Sequence, residues 1–231
     1  MKNLEDIIKK IEDFMNTKED LREDAIRISR DITITCRRVI QLINRRSYNE
    51  VDKLLEKAEN LVKDLNELTS KHPDILYTGF VENACQEYAE ATCLYSITND
   101  KDLPDPDRLG VSYTSYLLGL CDVIGEIRRL ILDDILRGDH SRVDKQLDYM
   151  DRIYYAIMRF DHPSGLIPIK RKQDMVRNII ERTRGDLVVV SSERNIINKT
   201  DEFYTLIGKI SKNTVKQKDK DENGIDVDKI W

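Results

Sequence analysis

Apolar residues recur along this chain at three- and four-residue spacing, the period that gathers side chains on one face of an α-helix, and no stretch alternates as a strand would. Leu4, Ile7, Ile8, Ile11 and Phe14 predict a short helix over residues 3–16. Asn16 and Thr17 offer an N-cap for a second helix, whose stripe runs through Leu21, Ile28, Ile32, Val39, Leu42 and Ile43 to Arg46. Ser47, with Glu50 three residues on, reads as a capping box for a third helix carrying Val51, Leu54, Leu55, Ala58, Leu61, Val62 and Leu65. Pro73 suits the first turn of a helix running to about residue 97. Residues 98–110, with two prolines, a glycine and clustered acids, form the clearest loop.

A helix from Ser112 to about residue 136 follows, ended by Gly138. His140 and Ser141 open another to about residue 160, residues 162–168 read as a turn, and residues 169–187 form the last well-patterned helix, stopping near Gly185. The prediction is an all-α, single-domain bundle over residues 1–187, with 188–231 as a C-terminal extension, partly helical or disordered.

Composition agrees. Of 231 residues 40% are hydrophobic and 35% charged, with only nine glycines and five prolines, enough apolar matter for a core and few helix breakers. No apolar run approaches the roughly 18 residues that span a bilayer, and the opening MKNLEDIIKK is amphipathic, so the expectation is a soluble, cytoplasmic protein without a membrane partner. Four cysteines stand singly on predicted helices, and the three histidines have no zinc-ligand spacing, which reads as core thiols in a reducing compartment.

The net charge of −5 argues against indiscriminate nucleic-acid binding, but the distribution is uneven. Residues 21–46 hold seven arginines against three acids, and residues 170–184 hold six bases against two acids. Arginine-rich stretches in an acidic chain suit phosphate recognition, and they equally suit pairing with acids on neighbouring helices.

Two carboxylate pairs lie within apolar stretches: Glu87 with Glu90 in QEYAEA, and Asp122 with Glu126 in LCDVIGEI. Each pair occupies one helical face, and four carboxylates brought together need protonation, arginine or a cation. An oxygen-only set suits magnesium or manganese. Among 43 acidic residues such spacing also arises by chance, and on spacing alone a solvated polar stripe is the better-supported reading. Gly119 and Gly125, flanking the second pair, point the other way, since a glycine inside a helix costs about 1 kcal/mol and commonly marks close approach of a backbone or ligand. Walker-type glycine loops, GxGxxG, GxSxG and HExxH are all absent.

Four collinear segments, ISRDITITCRRVIQLINR (28–45), QEYAEA (86–91), YLLGLCDVIGEIRR (116–129) with RGD after it, and IKRKQDMVRNIIERTRGD (169–186), resemble the translin family, most closely its translin-associated factor X (TRAX) branch in a compact archaeal-type form. The resemblance implies a roughly seven-helix protomer that assembles with itself, as a homo-octamer, into a shell around single-stranded or structured RNA, with single-stranded DNA as a further ligand. It implies a metal-dependent endoribonuclease whose catalytic and metal-binding acids are Glu87, Glu90, Asp122 and Glu126, with Mg2+ or Mn2+ as cofactor. Arg37, Arg38 and Arg129, then Lys170, Arg171 and Lys172, are the expected phosphate contacts. The alternatives are a non-catalytic shell binding single-stranded nucleic acid, in which arginines neutralise the acids, and a plain self-associating helical scaffold.

Overall fold

The computed structural model describes residues 3–222, together with the side chains of all of these except 194, 198 and 208–222. The described residues form eight helices and no strand: α1 Leu4–Asn44, α2 Val51–Thr69, α3 Pro73–Leu76, α4 Gly79–Thr98, α5 Pro106–Leu109, α6 Tyr113–Leu136, α7 Val143–Ile157 and α8 Lys170–Glu222. The all-α class follows directly. Two compact units divide the chain, residues 1–180 and 181–231.

In the first unit α1 packs along α2 and α4, α4 along α6, and α6 along α7. Its core holds Ile32 and Ile43 of α1, Leu65 of α2, Leu94 of α4, Ile124, Ile127, Leu130 and Ile131 of α6, and Met150 and Ile157 of α7. α4 lies between α1 and α6, so it buries small residues around much of its circumference, among them Ala84, Cys85, Ala89, Ala91 and Cys93. Ile169, just before α8, and Val176 and Ile180 in its first turns are buried in this unit. The Gln173 amide donates to the carbonyls of Ile157 (3.0 Å) and Phe160 (2.8 Å). In the second unit Val188, Val189, Ile196, Ile197, Phe203 and Tyr204 are exposed.

Several boundaries differ from the sequence reading, each for a local reason. α1 is one helix across residues 16 and 17, because the Thr17 hydroxyl donates to the Asp13 carbonyl four residues back (2.9 Å) and so caps nothing. The stripe of Leu4, Ile7, Ile8, Ile11 and Phe14 is exposed along the free first turns of α1. The capping box at Ser47 does not form: the Ser47 amide returns to the Leu42 carbonyl (2.9 Å), closing α1, and α2 begins at Val51 with no side-chain cap. Pro73 does start a helix, but α3 stops after one turn and extended Thr78 restarts the chain as α4. The 98–110 loop contains the single turn α5, capped by Asp105, with Gly110 left-handed at φ +67°.

α6 follows the sequence reading closely. Ser112 accepts from the Ser115 amide (3.0 Å) at its start, and Gly138, at φ +74°, closes it as the Asp139 amide bonds the Asp134 carbonyl (2.9 Å). α7 is shorter than predicted because Asp139 holds the Ser141 amide (3.0 Å) in a turn. α8 continues through Gly185, where no stop occurs, to Glu222, and residues 223–231 of the expected disordered tail lie outside the described residues. No helix is long and apolar enough to cross a membrane among the described residues.

Candidate functional site

The site starts from a missing side chain. A Cβ added to Gly119 of α6 would lie 2.8 Å from the Gln86 carbonyl oxygen and 3.1 Å from the Glu90 amide nitrogen, both on α4. Only glycine allows that approach, and it sets the Glu87 and Glu90 face of α4 against the Asp122 and Glu126 face of α6. Gly125 differs, since among the described residues no atom beyond its own helical turn lies within 4 Å of a Cβ placed there. The sequence signal of close approach holds at the first glycine and not at the second.

All four predicted acids meet electrostatically at Glu90. Its pKa is pushed up from the ordinary carboxyl range to about 8, first by burial, then by the charges of Asp122, Glu87 and Glu126, with Lys172 opposing. The same burial and the charges of Glu87 and Glu90 push up the neighbouring Cys36 thiol of α1.

The other three carboxylates are turned to donors. Arg37 of α1 places Nη2 at 3.0 Å and Nε at 3.4 Å from one oxygen of Glu87. The Gln86 amide donates to one oxygen of Asp122 (2.5 Å), and the Lys172 ammonium of α8 pairs with the other. The Asn44 amide, at the last residue of α1, donates to Glu126 at 2.6 Å, with the Arg129 guanidinium 4.0 Å from the same carboxylate oxygen. In this arrangement no three histidine, cysteine or acidic side chains stand as a metal-holding group among the described residues. In chemical character the set still fits a hard divalent cation, being four oxygen-donor carboxylates of which one, Glu90, has no hydrogen-bond donor among the described residues and is driven towards its neutral form.

The expected phosphate contacts are placed unevenly. Arg37, Lys172 and Arg129 lie at the acids. Arg38 and Arg171 are exposed on their helices, and Lys170 is drawn to Asp161 instead. Among the tyrosines, Tyr116 donates its hydroxyl to the Pro104 carbonyl (2.8 Å) and Tyr149 to Asp100 (3.2 Å), whereas the rings of Tyr113 and Tyr155 are exposed.

Sequence reasoning missed Gln86 and Asn44. Gln86 precedes the first acid within a motif already singled out, and Asn44 lies seven residues after Arg37, two helical turns along the same face; that spacing was the available signal.

The end of α1 is also fixed to α6 through Arg46. This residue is left-handed at φ +59°, and its guanidinium pairs with Asp134, whose side chain is only 5% exposed and also accepts from the Gln146 amide (3.0 Å). Asn44 and Arg46 thus reach α6 two turns apart.

Residues 20–184 match the Translin family. The chain is 34% identical over 178 residues to an uncharacterized protein of Methanocaldococcus jannaschii, covering 76% of this chain and 78% of that one. It is 23% identical over 192 residues to the translin-associated protein X homolog of Schizosaccharomyces pombe, covering 74% and 81%. Among solved structures it is similar to AfC3PO in complex with duplex RNA, at 26% identity and a TM-score of 0.75, covering 81% of this chain and 97% of that one.

Proposed function

The chain belongs to the translin family, and from that premise we propose that it is a metal-dependent endoribonuclease that binds and hydrolyses single-stranded or structured RNA within a homo-oligomeric shell. The observation that carries the reading is the convergence of four carboxylates from α4 and α6, with Glu90 pushed up to about 8 first by burial and then by the charges of the other three. Fully ionised, the four carboxylates outnumber the three cations beside them, Arg37, Lys172 and Arg129, and a divalent cation relieves that excess. The RNA side is supported by the duplex RNA in the AfC3PO structure. The exposed apolar stripe from Leu4 to Phe14 on α1 supports self-association.

Glu87, Glu90, Asp122 and Glu126 would hold Mg2+ or Mn2+, which when bound supplies Lewis acidity towards water and the phosphodiester. The chain's own groups do the rest. Arg37, Arg129 and Lys172, released from the carboxylates, face the phosphate charge, and Arg38 and Arg171 extend the basic surface along their helices.

A second reading has its own support. The Arg37 to Glu87 and Lys172 to Asp122 pairs are the neutralisation that a non-catalytic shell binding single-stranded nucleic acid would need. Cleavage of a fluorescent single-stranded RNA separates the two. The enzyme cuts with Mg2+, stops with chelator, and loses cutting in Glu126→Ala while RNA binding and oligomer size persist. Equal cutting by Glu126→Ala refutes the assignment, and salt-dependent binding without any cutting establishes the second reading.

A further inference from the structure

We infer that Asn44 is a positioning residue, retained to orient the Glu126 carboxylate for a divalent cation; the inference rests on the metal-dependent reading above. Asn44 is only 7% exposed and sits between buried Leu42 and Ile43 and the left-handed Arg46. Its Nδ2 donates to Glu126 at 2.6 Å, while its Oδ1 is buried with no hydrogen-bond partner among the described residues.

The orientation of the amide is fixed by this asymmetry. Turning the group over would set Oδ1 against a carboxylate oxygen, so the amide keeps its donor on Glu126 and leaves its acceptor unsatisfied. A buried acceptor without a partner is destabilising, and asparagine is a weak helix former at a position where the neighbouring buried residues are apolar. Packing alone therefore favours an apolar side chain, and leucine keeps the same branching in a somewhat larger volume. What leucine lacks is the N–H that holds one Glu126 oxygen and leaves the other free to bind. The Arg46 to Asp134 pair, two residues on, fixes the register of α1 on α6 and so keeps that N–H in place. Groups that orient a carboxylate ligand in this way typically alter metal affinity by 10- to 100-fold when removed.

The test uses the full chain and Mn2+ alone as probe, followed by calorimetry without RNA, alongside thermal unfolding in chelator. Asn44→Leu is expected to melt at or above the wild-type temperature in chelator, yet to bind Mn2+ at least about tenfold more weakly. With RNA, its kcat is expected to fall while KM is held. Asn44→Ser, which keeps a shorter donor, is expected to bind Mn2+ between the two. Wild-type Mn2+ affinity in the folded leucine variant overturns the inference alone. A leucine variant that melts well below wild type marks the amide as structural and also overturns it. If wild type and Glu126→Gln bind Mn2+ equally, the metal-dependent reading falls and takes the inference with it.

Discussion

The carbonyl oxygen of Gln86 faces Gly119 so closely that a methyl group there would lie 2.8 Å from it. Neither atom can move without moving a helix, because one belongs to the α4 backbone and the other to α6. Gly119→Ala is expected to lose about 1–3 kcal/mol in urea unfolding, overriding the roughly 1 kcal/mol that alanine gains in helix propensity. Gly125→Ala, with open space around it, should be neutral or up to about 1 kcal/mol more stable. Equal effects at the two glycines would show that contact with Gln86 does not set the helix separation.

Glu90 gives a pH signature in metal-free protein. Its folded pKa of about 8 lies above the ordinary 4.5, so the native state keeps a proton that the unfolded chain releases. The stability is fully present below about 4.5 and is lost as pH rises towards 8, on the order of a few kcal/mol in all. Urea midpoints in chelator should fall between pH 5 and 8.5 for the wild type. Glu90→Gln should flatten that slope, and a parallel decline in both proteins would assign it to other groups.

Removal of the Arg46 guanidinium leaves Asp134 buried with only the Gln146 amide as donor. Arg46→Ala is expected to cost about 3 kcal/mol. Arg46→Gly should cost about 1 kcal/mol less, because glycine adopts the left-handed φ of +59° without a Cβ clash. Chemical denaturation of both variants checks the loss and the difference between them.

The four thiols are buried and unpaired, and burial pushes Cys85, Cys93 and Cys121 up to about 12. With thiolate suppressed and access closed, a disulfide reagent at pH 8 should modify native protein only as fast as it opens, and all four at once in denaturant. Rapid labelling of one thiol in native protein would contradict that packing.

α6 was readable because its start and stop are local chemistry: Ser112 bonds an amide three residues ahead, and Gly138 takes a conformation that few other residues accept. Local chemistry also misled where two local bonds compete. Thr17 satisfies Asp13 inside the helix instead of starting a new one, and the Ser47 amide serves the end of α1 instead of the start of α2. At the site, spacing placed each acid pair on a face but said nothing about which faces meet. That depended on Gly119 against Gln86, a contact across two helices. Spacing from Arg37 put Asn44 on the right face of α1, but its partner Glu126, 82 residues away, could not be read from that spacing.

That separation shapes how the site comes into being. The bond from Gln86 to Asp122 closes 36 residues, whereas those from Asn44 to Glu126 and from Arg46 to Asp134 close 82 and 88. Loop-closure entropy favours the shorter closure first, so the two acid-bearing helices can find each other before α1 docks. During synthesis the end of α1 emerges and waits on the order of ten seconds for α6 to follow. The carboxylates gather early, and Glu126 receives its donor only when one of the longest closures in the fold is complete.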